Sequence, residues 1–156
     1  MRRLIAAAGL LLLPLAAQAA PDIAGPWLTG DGDAAVDIQP CGANLCGTLI
    51  WLRDPKDEAG QPLRDARNPD AAQRGKPLCG LAIFGGASAS GTTWENGWIY
   101  DPEEGRRYSL SLAGSADGTL AVTGFVGLKA LGQPQVWHRA PADLPRCDGP
   151  PPKRRP

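Results

Sequence analysis

Tyr108-Ser109-Leu110-Ser111-Leu112-Ala113-Gly114-Ser115-Ala116-Asp117-Gly118-Thr119-Leu120-Ala121-Val122-Thr123-Gly124-Phe125-Val126 is the stretch that decides the fold class. Tyr108, Leu110 and Leu112 alternate with Ser109 and Ser111, the period of a strand with one buried face. In the next run Leu120, Val122 and Val126 share one face, and Thr119, Thr123 and Phe125 share the other. Asp117-Gly118 between them suits a tight hairpin, whose central residues need positive φ. An antiparallel pair of strands follows.

The same grammar extends in both directions. Ile23 to Thr29, Val36 and Ile38 around Asp37, Leu45 to Leu52, Trp98 to Asp101 and Gln135 to Arg139 read as further strands. Asn96-Gly97 between Trp94 and Trp98 reads as a second hairpin turn. Cys79 to Phe84 fits either another strand or a short helix, and the glycine and serine run from Gly85 to Gly91 reads as a flexible loop. Seven or eight short strands at this spacing indicate an all-β domain, an antiparallel barrel or a sandwich. Arg53 to Pro77 breaks the pattern: it is polar, carries prolines and both signs of charge, and reads as one long loop.

The chain opens like an export signal. Arg2 and Arg3 precede an apolar run from Leu4 to Leu15, and Ala17-Gln18-Ala19 is a small-x-small cleavage site. That run is shorter than the roughly 20 residues a membrane helix needs, and no later segment is apolar enough either. Ala20 and Pro21 follow, so no cysteine is placed for lipid attachment. The organisation expected is a signal peptide over 1–19, a β domain over 20–149 and a disordered proline-rich basic tail over 150–156, in a periplasmic or secreted protein. Arg2 and Arg3 leave with the signal, and Lys153, Arg154 and Arg155 sit in the tail, so the domain itself is mildly acidic. A nucleic-acid binder needs the opposite, a basic stripe.

Four cysteines in an exported chain read as two disulfides, with three pairings possible. The favoured pairing is Cys41–Cys46 with Cys79–Cys147. The first two bracket Gly42-Ala43-Asn44-Leu45, a hairpin loop whose closing residues lie within disulfide range. Cys-x4-Cys with a single histidine fits no common zinc site, so neither metal nor cofactor is expected.

Several residue sets invite a chemical reading. Asp31-Gly32-Asp33 with Asp37 has calcium-loop composition, but the glycine and glutamate that an EF-hand requires fall out of register, leaving a solvated turn. His138 is the sole histidine, and Ser88 lies outside a strand–turn–helix elbow, so no triad is indicated. Asp101, Glu103 and Glu104 are clustered acids of the kind glycosidases use, yet Asp101-Pro102-Glu103-Glu104-Gly105 is also an ordinary turn. Asp65, Arg67, Asn68 and Asp70 are the densest polar set. Asn68-Pro69 can lock a turn through the Asn68 side chain; alternatively the loop stands at a barrel mouth and orients a ligand. The five tryptophans, at 27, 51, 94, 98 and 137, are mostly core, with one or two free to line a pocket. The ligand-binding set expected is Asp65, Arg67, Asn68, Trp51 and Tyr100.

Gly25-Pro26-Trp27-Leu28, Cys41 to Gly47 leading into Ile50-Trp51-Leu52, Asp65-Ala66-Arg67-Asn68-Pro69-Asp70, Gly97-Trp98-Ile99-Tyr100-Asp101-Pro102 with Gly105 and Tyr108, and Gln135-Val136-Trp137-His138-Arg139 occur in this order. The combination resembles the exported bacterial family known as domain of unknown function 2147. The resemblance implies a lipocalin-like or calycin-like β-barrel in the periplasm, and brings no reaction, ligand or catalytic residue with it. The function expected first is therefore a non-enzymatic module binding a small molecule or an envelope protein. Two alternatives stand beside it: an envelope hydrolase using paired carboxylates, and a structural or interaction protein docking through an exposed face.

Overall fold

A computed structural model describes residues 19–147, so the expected signal peptide up to Gln18 and the expected tail over 150–156 lie outside the described residues. Eight antiparallel strands follow one another in sequence order: β1 (Gly25–Leu28), β2 (Ala34–Cys41), β3 (Asn44–Leu52), β4 (Ala82–Ser90), β5 (Thr93–Asp101), β6 (Arg106–Gly114), β7 (Leu120–Phe125) and β8 (Gln133–Arg139). Each pairs with the next, and β8 returns to β1 through Trp27↔Arg139 and Leu28↔His138, closing a barrel. Two single-turn 3-10 segments, Ala71–Gln73 and Lys129–Leu131, are the helical elements among the described residues. No helix there is long and apolar enough to cross a membrane.

The hairpin expected at Asp117-Gly118 is present. Gly118 adopts φ +83°, and the Asp117 carboxylate accepts from the Thr119 amide at 3.0 Å. Leu110, Leu112, Leu120 and Val122 are buried, as the alternation requires. Asn96-Gly97 departs from expectation. It is no turn but a β-bulge inside β5, where the register shifts between Trp94 and Gly97 and Asn96 takes φ 61°. The chain reverses at Gly91-Thr92 instead, and the Gly85–Gly91 stretch read as a loop is largely β4. Small residues serve that strand because Gly85 lies under the Trp98 ring, with only 3.1 Å for an added Cβ.

Trp27, Val36, Ile38, Phe84, Leu110, Leu112, Leu120, Val122 and Trp137 belong to one buried cluster that fills the barrel. Packing is tight where Gly47 of β3 faces Phe84 of β4: a Cβ there would stand 2.0 Å from the ring. Topology gives the barrel two unlike ends. One carries the β1–β2, β3–β4, β5–β6 and β7–β8 loops. The other carries three short hairpins and the N-terminal segment, which is held by Trp27 Nε1 donating to the Ile23 carbonyl (2.8 Å) and Trp94 Nε1 to that of Pro21 (3.1 Å).

Both disulfides form as favoured, each with Cα atoms 5.8 Å apart. The geometry of the first is different from that expected. Pairing continues to Cys41↔Asn44, so the loop is only Gly42-Ala43, and the bridge joins diagonal positions, Cys46 standing opposite Gln39. The second ties the β3–β4 loop to a C-terminal strap. That strap is also fastened by the Cys147 amide on the Ile50 carbonyl (2.7 Å) and by Arg146 on Asp37 (2.9 Å).

Candidate functional site

The long β3–β4 loop is polar but ordered. Bridges Lys56↔Pro62 and Arg64↔Pro77 fold it on itself, and the Asp65 amide donates to the Lys76 carbonyl at 2.9 Å. Asp65 is the most deeply buried acid among the described residues, 1% exposed. Its Oδ1 accepts from the Tyr100 hydroxyl and its Oδ2 from Asn68 Nδ2, both at 2.6 Å. Asn68 Oδ1 accepts in turn from the Asp70 amide (2.9 Å), and Asp70 caps the 3-10 turn through the Ala72 amide. This chain of side-chain-to-backbone bonds is the turn chemistry that Asn and Asp favour. Arg67 reaches across to the Glu103 carbonyl (2.6 Å). Its own carbonyl presses on Gly105, which has φ +66° and would hold a Cβ only 2.0 Å from that oxygen.

Four of the five expected ligand residues thus gather where the long loop meets β5 and the β5–β6 turn: the polar groups of Asp65, Asn68 and Tyr100 engage one another, and Arg67 is held by the Glu103 carbonyl. Trp51 is separate: it stands opposite Ala35 beyond a register shift, half-buried, with no hydrogen bond to the other four. Burial, and then the bond to Asp65, push the Tyr100 phenol up to about 12. The sign follows directly. A folded-state value above the ordinary 10 means that Tyr100 stabilises the fold fully below pH 10 and loses that contribution as pH rises toward about 12. Tyr100→Phe should cost about 1–3 kcal/mol at neutral pH, because buried Asp65 loses one of its two side-chain donors. In strong alkali the gap between wild type and variant should narrow, as followed by urea midpoints across that window.

Two acids of the β5–β6 turn, Asp101 and Glu104, are committed to it. Asp101 Oδ1 accepts from the amides of Glu103 (2.8 Å) and Glu104 (3.2 Å), and Glu104 accepts from the Tyr108 hydroxyl. Asp31 likewise closes its own turn. The Thr29 hydroxyl and the Asp33 amide hold its carboxyl below the usual range, while Asp37 pairs with Arg146 instead. His138 and Ser88 lie on β8 and β4, which are not neighbours, and Ser88 donates to the Glu95 carbonyl.

A cleft lies at the opposite end, a feature that sequence reasoning missed. About 330 Å³ opens between the N-terminal segment and the β6–β7 turn, lined by Pro21, Ile23, Trp27, Gly114, Ser115 and Arg139 among others. Arg139 stacks on the Trp27 ring, its guanidinium carbon 3.9 Å from the centroid, and donates to the Ala24 carbonyl at 2.6 Å. The signal lay in two phrases of the family resemblance, Gly25 to Leu28, which holds Trp27, and Gln135 to Arg139. Their meeting depends on barrel closure, which spacing does not reveal.

The fold has a solved counterpart. A Helicobacter pylori protein, HP1028, described as belonging to the lipocalin family, superimposes with a TM-score of 0.65 at 18% identity, covering 78% of this chain and 84% of that one. Among curated proteins no relative matches significantly. Residues 25–139, from the first strand of the barrel to the last, match the family described as an uncharacterized protein conserved in bacteria, DUF2147, and the chain belongs to that family.

Proposed function

We propose that this chain is an exported, non-catalytic binding module that takes a small, apolar-bodied ligand in the cleft beside Trp27 and Arg139. The observation that carries the reading is the contrast between the two spaces. The barrel interior is filled by Trp27, Phe84, Leu110, Leu112 and Trp137, whereas the cleft outside it has a volume of about 330 Å³. Ligand sites commonly measure roughly 300–1,000 Å³ and combine apolar walls with a few fixed polar groups. Pro21, Ile23 and Trp27 supply such walls, and Arg139, held in place by its stack and its bond to Ala24, supplies a positive group for an acidic head.

Export is supported by the leader-like first residues, by two disulfides and by membership of a bacterial family. The Asp65–Asn68–Tyr100 set acts in this reading as a lock that fixes the loop-bearing rim, with Arg67 bracing it against the β5–β6 turn. Neither touches the ligand.

An anilinonaphthalene sulfonate dye, apolar with one negative charge, is a suitable probe. Saturable fluorescence enhancement is expected in the mature chain. Ser115→Trp, which fills the cleft from an exposed turn, should weaken it at least about tenfold, whereas Leu131→Glu at the other end should leave it unchanged. Equal dye binding by wild type and Ser115→Trp, or no saturable binding by wild type, would refute the cleft as the site.

A further inference from the structure

From Leu120 to His138 the sequence holds one lysine, one histidine and no acid, in contrast to the charge-rich loop from Arg53 to Pro77. The barrel sets these residues on two adjoining strands and the loop between them. Register places Ala121 opposite Val136 and Thr123 opposite Pro134, on the face away from buried Leu120, Val122 and Trp137. The connecting loop, residues 126–132, lies beside them. Val126, Leu128, Leu131 and Val136 are 67%, 70%, 75% and 48% exposed. Scattered surface leucines need no explanation, but four large aliphatics grouped on one hairpin do.

The loop is held in this arrangement. Lys129, its only charged residue, is turned to the barrel wall, where Nζ bonds Glu95 Oε1 at 2.6 Å; that oxygen also accepts from Thr93 and Ser111. Gly132 is pressed against β7, with 2.7 Å to Thr123 Cγ2 for an added Cβ. Water alone would favour the reverse, the ammonium outward and the leucines inward. Arg107, on neighbouring β6, is directed away from the patch and stacks over Trp98 at 4.0 Å.

We infer that the sector formed by β7, β8 and the 126–132 loop is the docking surface for a second copy of this chain. Charge decides between occupants. A two-fold interface sets one patch against itself, so any unpaired charge near its centre meets its like. A face without acids, whose lysine is already neutralised by Glu95, carries no such penalty. A lipid surface fits less well: no tryptophan or tyrosine lies among residues 120–136, and no free cation is offered to anionic headgroups. The inference is independent of the ligand cleft, which lies at the other end of the barrel.

Sedimentation velocity over a concentration series tests it on the mature chain from Ala20, which contains every strand. A dimer is expected, and Leu131→Glu should weaken it at least about a hundredfold, since a carboxylate would be buried against its own copy. Val136→Glu, on the strand itself, should do the same and serves as the second variant if the first misfolds; circular dichroism reports folding in each. A wild type that stays monomeric at the highest concentration, or dimers that persist in both variants, would overturn the inference. So would a monomeric wild type that floats with phosphatidylethanolamine–phosphatidylglycerol vesicles.

Discussion

Replacing Cys79 and Cys147 together by alanine should lower the free energy of unfolding by about 4 kcal/mol, against about 2 kcal/mol for the Cys41 and Cys46 pair, by the loop-entropy relation. The two bridges span 68 and 5 residues, and a cross-link restricts the unfolded chain more the longer the loop it closes. The long bridge also has more to hold in the native state. It joins the base of the polar loop to a strap fastened on β3 by one backbone bond and on β2 by one ion pair. The short bridge sits on a hairpin already paired down to Cys41↔Asn44, so removing it leaves the ladder intact. Urea denaturation of the two double variants gives the comparison; equal losses would show that loop length does not govern the effect.

Gly47→Ala should be nearly as damaging, with an expected cost of about 3 kcal/mol, at the upper end for an overpacked core. The added carbon would meet Phe84 Cε1, Cδ1 and Cζ at 2.0, 2.3 and 2.7 Å, and Phe84 is wholly buried, so the ring has nowhere to swing. A fall in melting temperature of roughly 10 °C is expected for a domain of this size. Combining Gly47→Ala with Phe84→Leu should recover part of the loss, because a branched aliphatic leaves room where the ring does not. A double variant that is no better than additive would show that the clash is not with Phe84.

The parts of this fold legible in sequence are those that local chemistry determines. The β6–β7 hairpin is readable because its turn residues, its alternation and its pairing all lie within nineteen positions, Tyr108 to Val126. Asn96-Gly97 misleads for an instructive reason. Asn96 does take the positive φ that a hairpin turn demands, but the same conformation also makes a bulge, and only the neighbouring strands decide between them. The Gly85–Gly91 run misleads in another way. Its small side chains look like flexibility, yet they are what lets the Trp98 ring lie flat on β4.

The candidate sites follow the same division. Asp65 and Asn68 are three residues apart, and a turn between them is legible. The Tyr100 hydroxyl comes from 35 residues away, and Arg139 stacks on a tryptophan in the first strand; neither contact leaves a trace in spacing. Trp51 enters the expected ligand set as one of the tryptophans free to line a pocket. The register shift between Ala35 and Val36 sets it opposite Ala35, outside the contiguous core.

Barrel closure rests on a narrow seam. Strands β1 and β8 share only the pairs Trp27↔Arg139 and Leu28↔His138, the contacts most distant in sequence of any ladder here. Chain entropy makes such a junction the costliest to close. A barrel opened there is a ribbon with two unprotected margins, the form in which strand-rich chains stick to one another. Pro26 lies in one margin and Pro134 in the other. Lacking an amide hydrogen, each denies a foreign strand one rung of its ladder, so an opened barrel carries its own deterrent to misassembly.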